Sequence, residues 1–377
     1  MKIYQAQWTL SQGWKPALTS NSHSQLVLLF GATEILKSNT TVFEEIRKHF
    51  PHASLFGCST AGEILDTRVS DDSIIITAVQ FEKTSLKNVS VEVKKGGNSY
   101  EAGKRLAGLL PSADLAHVLV LSDGLSVNGT DLVKGMTEVL PKGVTVTGGL
   151  SGDGSRFQET FVVGSNGTPL KNTVAALGLY GKNLKVGYAS LGGWDSFGPE
   201  RTITRASGNV LYELDGRSAL DIYKQYLGEH AKGLPATGLL FPLSVRQENG
   251  TPIVRTILGV DEKDHSMTFA GNMPEKATAR FMKANFDRLI DGASGAAKAT
   301  RQSVPSSAEL AILISCVGRK LILKQRIEEE VEGVREVLGP KALLAGFYSY
   351  GEISPFTPGA KCELHNQTMT ITTLSES

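Results

Sequence analysis

Leu55-Phe56-Gly57-Cys58-Ser59-Thr60-Ala61-Gly62-Glu63-Ile64 returns in altered form near the other end of the chain. There it reads Leu344-Ala345-Gly346-Phe347-Tyr348-Ser349-Tyr350-Gly351-Glu352-Ile353. In both stretches a glycine is followed five residues later by Gly-Glu-Ile. A looser copy, Thr147-Gly148-Gly149-Leu150-Ser151-Gly152-Asp153, lies between them. Each copy follows a proline by a near-constant step: Pro51 to Gly57, Pro141 to Gly148 and Pro340 to Gly346. Self-similarity of this kind decides architecture, because each copy folds as the same supersecondary unit.

Outward from each glycine turn the same elements recur. Leu26-Val27-Leu28-Leu29-Phe30, His117-Val118-Leu119-Val120-Leu121 and Leu310-Ala311-Ile312-Leu313-Ile314 are unbroken apolar runs ending near a Gly. Such runs read as strands buried on both faces. Each is followed by an apolar stripe at helical spacing: Val42, Ile46 and Phe50; Leu132, Met136, Val139 and Leu140; Ile327, Val331, Val334 and Leu338. Charged residues fill the opposite faces, a proline stops each helix, and a second short strand leads into the turn. Strand–helix–strand predicts a parallel pair with the helix on one face.

Between these units the pattern alternates. Ile74-Ile75-Ile76-Thr77-Ala78-Val79 and Val89-Ser90-Val91-Glu92-Val93 read as neighbouring antiparallel strands. Thr173–Tyr180 and Leu184–Leu191 read as a hairpin across Gly181-Lys182-Asn183. The expected fold class is therefore α/β, with mixed sheets flanked by helices and built from repeated strand–helix–strand–Gly-turn units. The Gly/Pro-rich stretch Gly192-Gly193-Trp194-Asp195-Ser196-Phe197-Gly198-Pro199 marks the expected boundary between two domains, 1–198 and 199–377. A sheet crossing that boundary would contradict a spatial split there. In the second half, Ser218 is placed to cap a helix whose apolar stripe is Ala219, Leu220, Tyr223 and Leu227.

A chain of 377 residues can bury two cores. Lys+Arg 39 against Asp+Glu 38 argues against nucleic acid as the main partner and supplies no polybasic patch for a membrane. Three scattered cysteines without CxxC spacing suit a reducing compartment. The N-terminus lacks a signal-peptide pattern and no run is long enough to span a bilayer, so the expected location is cytoplasmic. The sequence contains no P-loop, H-E-x-x-H, C-x-x-C-H or G-x-S-x-G motif, which favours binding over catalysis.

Taken together, these motifs resemble the FIST family of two-part sensory domains. Phe56-Gly57-Cys58-Ser59-Thr60-Ala61-Gly62-Glu63-Ile64 and Thr147–Gly154 resemble the FIST N part. Tyr212-Glu213-Leu214-Asp215-Gly216, Ser315-Cys316-Val317-Gly318-Arg319, Gly346–Ile353 and Leu364-His365-Asn366-Gln367-Thr368 resemble the FIST C part. The resemblance implies a sensor of a small molecule, with amino acids as proposed ligands, in signal transduction. Its stand-alone relatives imply a haem-binding nitric oxide sensor that regulates a separate histidine kinase.

The candidate ligand-binding residues are those that fill the intervals of the repeats and their flanks: Cys58, Ser59, Thr60, Cys316, Arg319, Tyr348, Tyr350, Glu352 and Asn366. Polar turns beyond strand C-termini are where open α/β sheets bind ligands. The glycines themselves and the acids Glu63, Asp153 and Glu352 also read as tight turns with a capping carboxylate. A catalytic thiol needs a nearby base, and no Cys/His pairing is placed by the sequence, so Cys58 and Cys316 also read as buried structural thiols. In an extended segment His365 shares a face with Gln367, Met369 and Ile371. This makes His365 the candidate axial ligand if haem b binds, with His117 the alternative and a hydrogen-bonded core histidine the competing reading.

Overall fold

In the computed structural model, which describes residues 1–93, 97–248, 250–304, 307–356 and 359–377, three of the four sheets repeat one plan. Unit one comprises β1 (Lys2–Thr9), β2 (Leu26–Gly31), α1 (Thr40–His49), β3 (Ser54–Ser59), β4 (Glu63–Leu65) and β5 (Ser73–Gln80). Unit two comprises β6 (Ser85–Glu92), α2 (Ser99–Gly108), β7 (Leu115–Ser122), α3 (Gly129–Val139), β8 (Thr145–Leu150), β9 (Val162–Val163) and β10 (Thr173–Tyr180). Unit three opens with β11 (Leu184–Leu191) and is interrupted by a strand-rich insert, 195–283, that contains α4 (Ala219–Leu227). It resumes with α5 (Phe286–Ser303), β12 (Leu310–Cys316), α6 (Val317–Leu323), α7 (Ile327–Leu338) and β13 (Leu343–Ser349). It closes with β14 (Gly351–Pro355), β15 (Cys362–His365) and β16 (Met369–Glu376).

Each unit forms a parallel pair, β2–β3, β7–β8 or β12–β13, with an antiparallel strand, β5, β10 or β16, on its other side. The units then exchange strands in a closed cycle. β4 of unit one joins the sheet of unit three, β9 of unit two joins that of unit one, and β14 of unit three joins that of unit two. Three backbone hydrogen bonds fasten the exchange at equivalent positions. They run from Ala61 N to Tyr348 O at 2.8 Å, from Gly152 N to Ser59 O at 2.9 Å and from Tyr350 N to Leu150 O at 3.1 Å. Asp72, Asn172 and Gln367, each just before the returning strand, all adopt left-handed backbone, with φ of 53°, 49° and 62°. The repeat seen in the sequence is thus a pseudo-threefold ring.

Strand alternation explains the layers. Leu28 and Phe30, Leu119 and Leu121, and Ile312 and Ile314 point inward into one core shared by all three units. The intervening Val27 and Leu29, Val118 and Val120, and Ala311 and Leu313 point outward. There they meet Val42 and Ile46 of α1, Leu106 of α2 with Leu132 and Met136 of α3, and Ala293 of α5 with Val331 and Val334 of α7. Strands covered on both faces must read as continuous apolar runs, as these do.

The insert has its own core, with Ile203, Leu211, Leu220, Tyr223, Phe269 and Phe281 among its members. Its helix α4 is capped by the Ser218 hydroxyl, which accepts from Asp221 N at 3.1 Å. Among the described residues, no helix is long and apolar enough to cross a membrane.

Three expectations are corrected. Residue 198 lies inside the strand Asp195–Ser207, and β11 on one side of it pairs with β16 on the other, as β8 does with β14. No spatial split therefore occurs there; the separable body is the insert. Thr173–Tyr180 and Leu184–Leu191 are strands, but not a hairpin: the first pairs with β6 and β7, the second with β16. The turn at 181–183 hands the chain from one unit to the next, as 81–84 does between β5 and β6, which are also in different sheets. Period-two alternation reports faces, not partners.

Gly57, Gly148 and Gly346 sit opposite Leu29, Val120 and Leu313. In each, a Cβ would lie 1.8 Å from the facing carbonyl oxygen. Gly346→Ala is expected to cost more than about 4 kcal/mol, the range reserved for forced backbone displacement or worse. Gly108→Ala, where the added methyl meets nothing within 4 Å, is expected to be neutral or stabilising by up to about 1 kcal/mol. Urea denaturation of the two variants checks the contrast.

Candidate ligand cavity

The glycine turns carry buried carboxylates that are fully engaged by the protein. Glu63 accepts from the Thr60 hydroxyl in a short contact, from Ser73 Oγ at 2.7 Å and from Ser73 N at 3.3 Å. Glu352 repeats the arrangement, accepting from Ser349 Oγ at 2.7 Å, Thr368 Oγ1 at 3.0 Å and Thr368 N at 3.1 Å. Burial pushes both carboxyls up to about 8 against the hydroxyl donors that pull them down. Ser59 belongs to the same latch: its Oγ donates to Gly152 O at 2.8 Å and accepts from Phe161 N at 2.8 Å. Ser59 therefore ties unit one to unit two, Thr60 and Glu352 help fasten the turns of units one and three to their own returning strands, and none of the three lines either cavity described here.

Arg319 and Tyr348 form a second closed network. The fully buried guanidinium pairs with Glu330 at 2.7 Å and donates to Gly192 O at 2.5 Å and Leu289 O at 2.6 Å. Tyr348 Oη donates to Glu330 Oε1 at 2.7 Å, and Ser315 Oγ donates to the same oxygen at 3.1 Å. A buried ion pair persists only when its remaining donors and acceptors are satisfied in this way. Arg319, one of the residues expected to meet a ligand, instead joins α6, α7, α5 and the chain at Gly192.

Three of the candidate residues do converge. Cys316, Tyr350 and Asn366 line a cavity of about 310 Å³ between the ring and the insert. The ring contributes the turns after two parallel strands: residues 124–128 after β7, and Cys316 to Gly318 after β12. Asp123 shapes the first turn, accepting from Leu125 N at 2.9 Å, Ser126 N at 2.8 Å and Asn172 N at 3.0 Å. The insert contributes Asn209, Leu239, Thr256, Leu258 and Phe269. Tyr350 stacks on Phe157 at 4.3 Å, donates to Gly154 O at 3.2 Å and accepts from Phe157 N at 3.2 Å.

The wall of this cavity holds polar atoms without protein partners. Ser126 Oγ, Thr256 Oγ1 and both amide atoms of Asn366 are buried and make no hydrogen bond within the protein. Asn366 is 1% exposed, and the next residue, Gln367, also leaves its amide unpartnered. An unmet buried amide costs about 1–3 kcal/mol, so several such atoms around one cavity call for an external partner.

The thiols show no activation. Cys58, Cys316 and Cys362 are free, and burial raises all three thiol pKa values. An axial imidazole does not fit either cavity, since neither is lined by a histidine. His365 Nε2 is 2.8 Å from Ser354 O, and its ring packs beside Phe356; only Nδ1 lacks a partner. The extended face expected for His365, Gln367, Met369 and Ile371 does not exist, because the chain turns at Gln367 and passes from β15 in one sheet to β16 in another. His117 lies between Thr145 Oγ1 at 2.7 Å and Thr147 Oγ1 at 3.0 Å. Among the described residues, no three His, Cys, Asp or Glu side chains gather as a metal site.

The insert's half of the cavity was not read from the sequence. A signal was present in Ala277, Ala279 and Phe281, which alternate along the strand Thr278–Lys283 and its entry and are buried.

Comparison with known proteins places this geometry. The FIST N domain matches residues 25–217 and the FIST C domain residues 219–355. An uncharacterized protein of Methanocaldococcus jannaschii is 23% identical over 334 residues, 81% of this chain and 63% of that protein. The chain thus spans less than two thirds of that relative's length. A crystal structure of cyanuric acid hydrolase from A. caulinodans aligns with 78% of this chain and 99% of its own, at 9% identity and a TM-score of 0.18. At that score the likeness carries no argument.

Two outcomes are expected. Between the ordinary carboxyl value of 4.5 and about 8, the folded chain keeps protons on Glu63 and Glu352 that the unfolded chain has released. Stability therefore falls as pH rises through that window and levels off above it. Glu352→Gln is expected to remove about half of the slope contributed by the pair, read as urea midpoints at intervals from pH 5 to 8. Mixed with haem, the protein is expected to leave the Soret band of free haem unchanged; a shifted band that reverts in His365→Ala would refute this reading of the histidines.

Proposed function

The chain belongs to the FIST family, whose domains are sensory and bind small ligands in signalling, and on that premise we propose that its ligand occupies the cavity between ring and insert. The observation that carries the reading is that Ser126, Thr256 and Asn366, all lining that cavity, hold unpartnered buried polar atoms. A volume of about 310 Å³ falls at the small end of ligand sites and suits a compact polar molecule. Phe269 and the Phe157–Tyr350 stack offer it apolar surface, and the Asn366 amide offers one donor and one acceptor edge. Amino acids have this size and this mixture of groups, so they are the first class to test.

The proposed role is sensing inside the cell rather than catalysis. Cys316 is the thiol on the cavity wall, and burial holds it in the protonated, poorly nucleophilic form. Occupancy would be transmitted through the joint between ring and insert, because both contribute to the wall. A ligand that contacts both bodies binds the closed arrangement better than any open one, and that differential is what shifts a population. The proposed recipient is a separate signalling protein such as a histidine kinase.

Calorimetry of the full chain against the common amino acids tests the reading. At least one is expected to bind, and Asn366→Leu is expected to weaken it by tenfold or more. The same substitution is expected to stabilise the free protein by about 1–3 kcal/mol, because it removes an unmet buried amide. Absence of binding by every amino acid, or undiminished binding by Asn366→Leu, would sink the proposal.

A further inference from the structure

Arg255 lines a second and larger cavity, of about 750 Å³, on another part of the seam between insert and ring. It lies on the strand Ile253–Arg255, is 5% exposed, and takes part in no ion pair among the described residues. Its polar contacts are two backbone carbonyls: Nη1 to Leu364 O at 2.9 Å and Nε to Asn272 O at 3.4 Å. The contrast with Arg319 is instructive, because that guanidinium is equally enclosed and is neutralised by Glu330 at 2.7 Å. A buried cation with no carboxylate in contact is the costlier state: Glu363 attracts it only from beyond ion-pair distance, and desolvation outweighs that attraction, lowering the Arg255 pKa to about 10.

From this geometry we infer a second binding site, in which Arg255 receives the carboxylate or phosphate group of a small organic acid. A planar guanidinium presents paired N–H donors that match either anion. The Thr130 hydroxyl, on the ring side of the same cavity, is buried and has no partner in the protein. Lys134 and Lys361 line the cavity as well, but so do Asp131, Glu275 and Glu363. That balance disfavours a polyanion and suits a ligand with one anionic end and hydrogen-bonding groups elsewhere. Asn272 holds the seam together here, accepting from Asn128 Nδ2 at 2.9 Å and donating to Asp131 Oδ1 at 3.2 Å. An occupant would therefore touch ring and insert at once, independently of the cavity that contains Asn366.

Succinate and glycerol 3-phosphate, titrated calorimetrically into the full chain at fixed ionic strength, distinguish the two anion chemistries. At least one is expected to bind. Arg255→Met is expected to weaken it tenfold or more, and Thr137→Trp, which adds bulk at the exposed rim and leaves the guanidinium in place, is expected to block it. Asn366→Leu is expected to bind the same probe as the parent does. The inference is overturned if neither probe binds, if Thr137→Trp binds normally, or if Asn366→Leu abolishes binding and so assigns the probe to the first cavity. Thr137→Trp decides the matter even if Arg255→Met fails to fold.

Discussion

Three backbone hydrogen bonds, from Ala61 to Tyr348, from Gly152 to Ser59 and from Tyr350 to Leu150, close a ring in which every unit holds the next. No unit completes its own sheet, since β4, β9 and β14 are each lent to a neighbour. Within each unit the parallel pair approaches so closely that its second strand requires glycine, since a Cβ at Gly57, Gly148 or Gly346 would overlap the carbonyl oxygen of Leu29, Val120 or Leu313. The exchange also buries the turn residues, which is why Glu63 and Glu352 sit in a low-dielectric setting and need hydroxyl donors from their own turns and from the returning strands.

The ring is symmetric in backbone but not in what surrounds it. Unit three alone carries the insert, placed between β11 and α5, and the insert covers the turns after β7 and β12. Those turns stand at the carboxyl ends of parallel strands, where α/β sheets present backbone groups and side chains without a strand to follow. Both cavities lie along this cover. The repeat thus supplies the scaffold, and the interruption of the repeat supplies the places where a ligand meets two bodies.

Much of the ring was legible in the sequence because its constraints are local. Continuous apolar runs marked β2, β7 and β12, and the Gly-x-x-x-x-Gly-Glu-Ile stretches marked the exchange turns. Strand partners were not legible: 81–84 and 181–183 look like hairpin turns, yet each carries the chain to a different sheet. The site was legible only in part. Cys316, Tyr350 and Asn366 reach the cavity, whereas Arg319 and Tyr348 are absorbed by Glu330, and Ser59, Thr60 and Glu352 by the latch. Residue type alone cannot separate these fates, because a hydroxyl or guanidinium in a motif loop serves a fold or a ligand according to which partner lies within 3 Å. Thr256 and Phe269 were missed because the insert follows no repeat, Phe269 ends a strand of only four residues and Thr256 lies between strands.

The claim that the seam between ring and insert is a ligand site is tested most directly by a crystal structure of the full chain grown with a calorimetrically saturating amino acid. The account predicts density in the cavity within hydrogen-bonding distance of Asn366 and of Ser126 or Thr256. Ligand density elsewhere on the molecule, or a cavity in which ordered water alone satisfies those atoms, would contradict it.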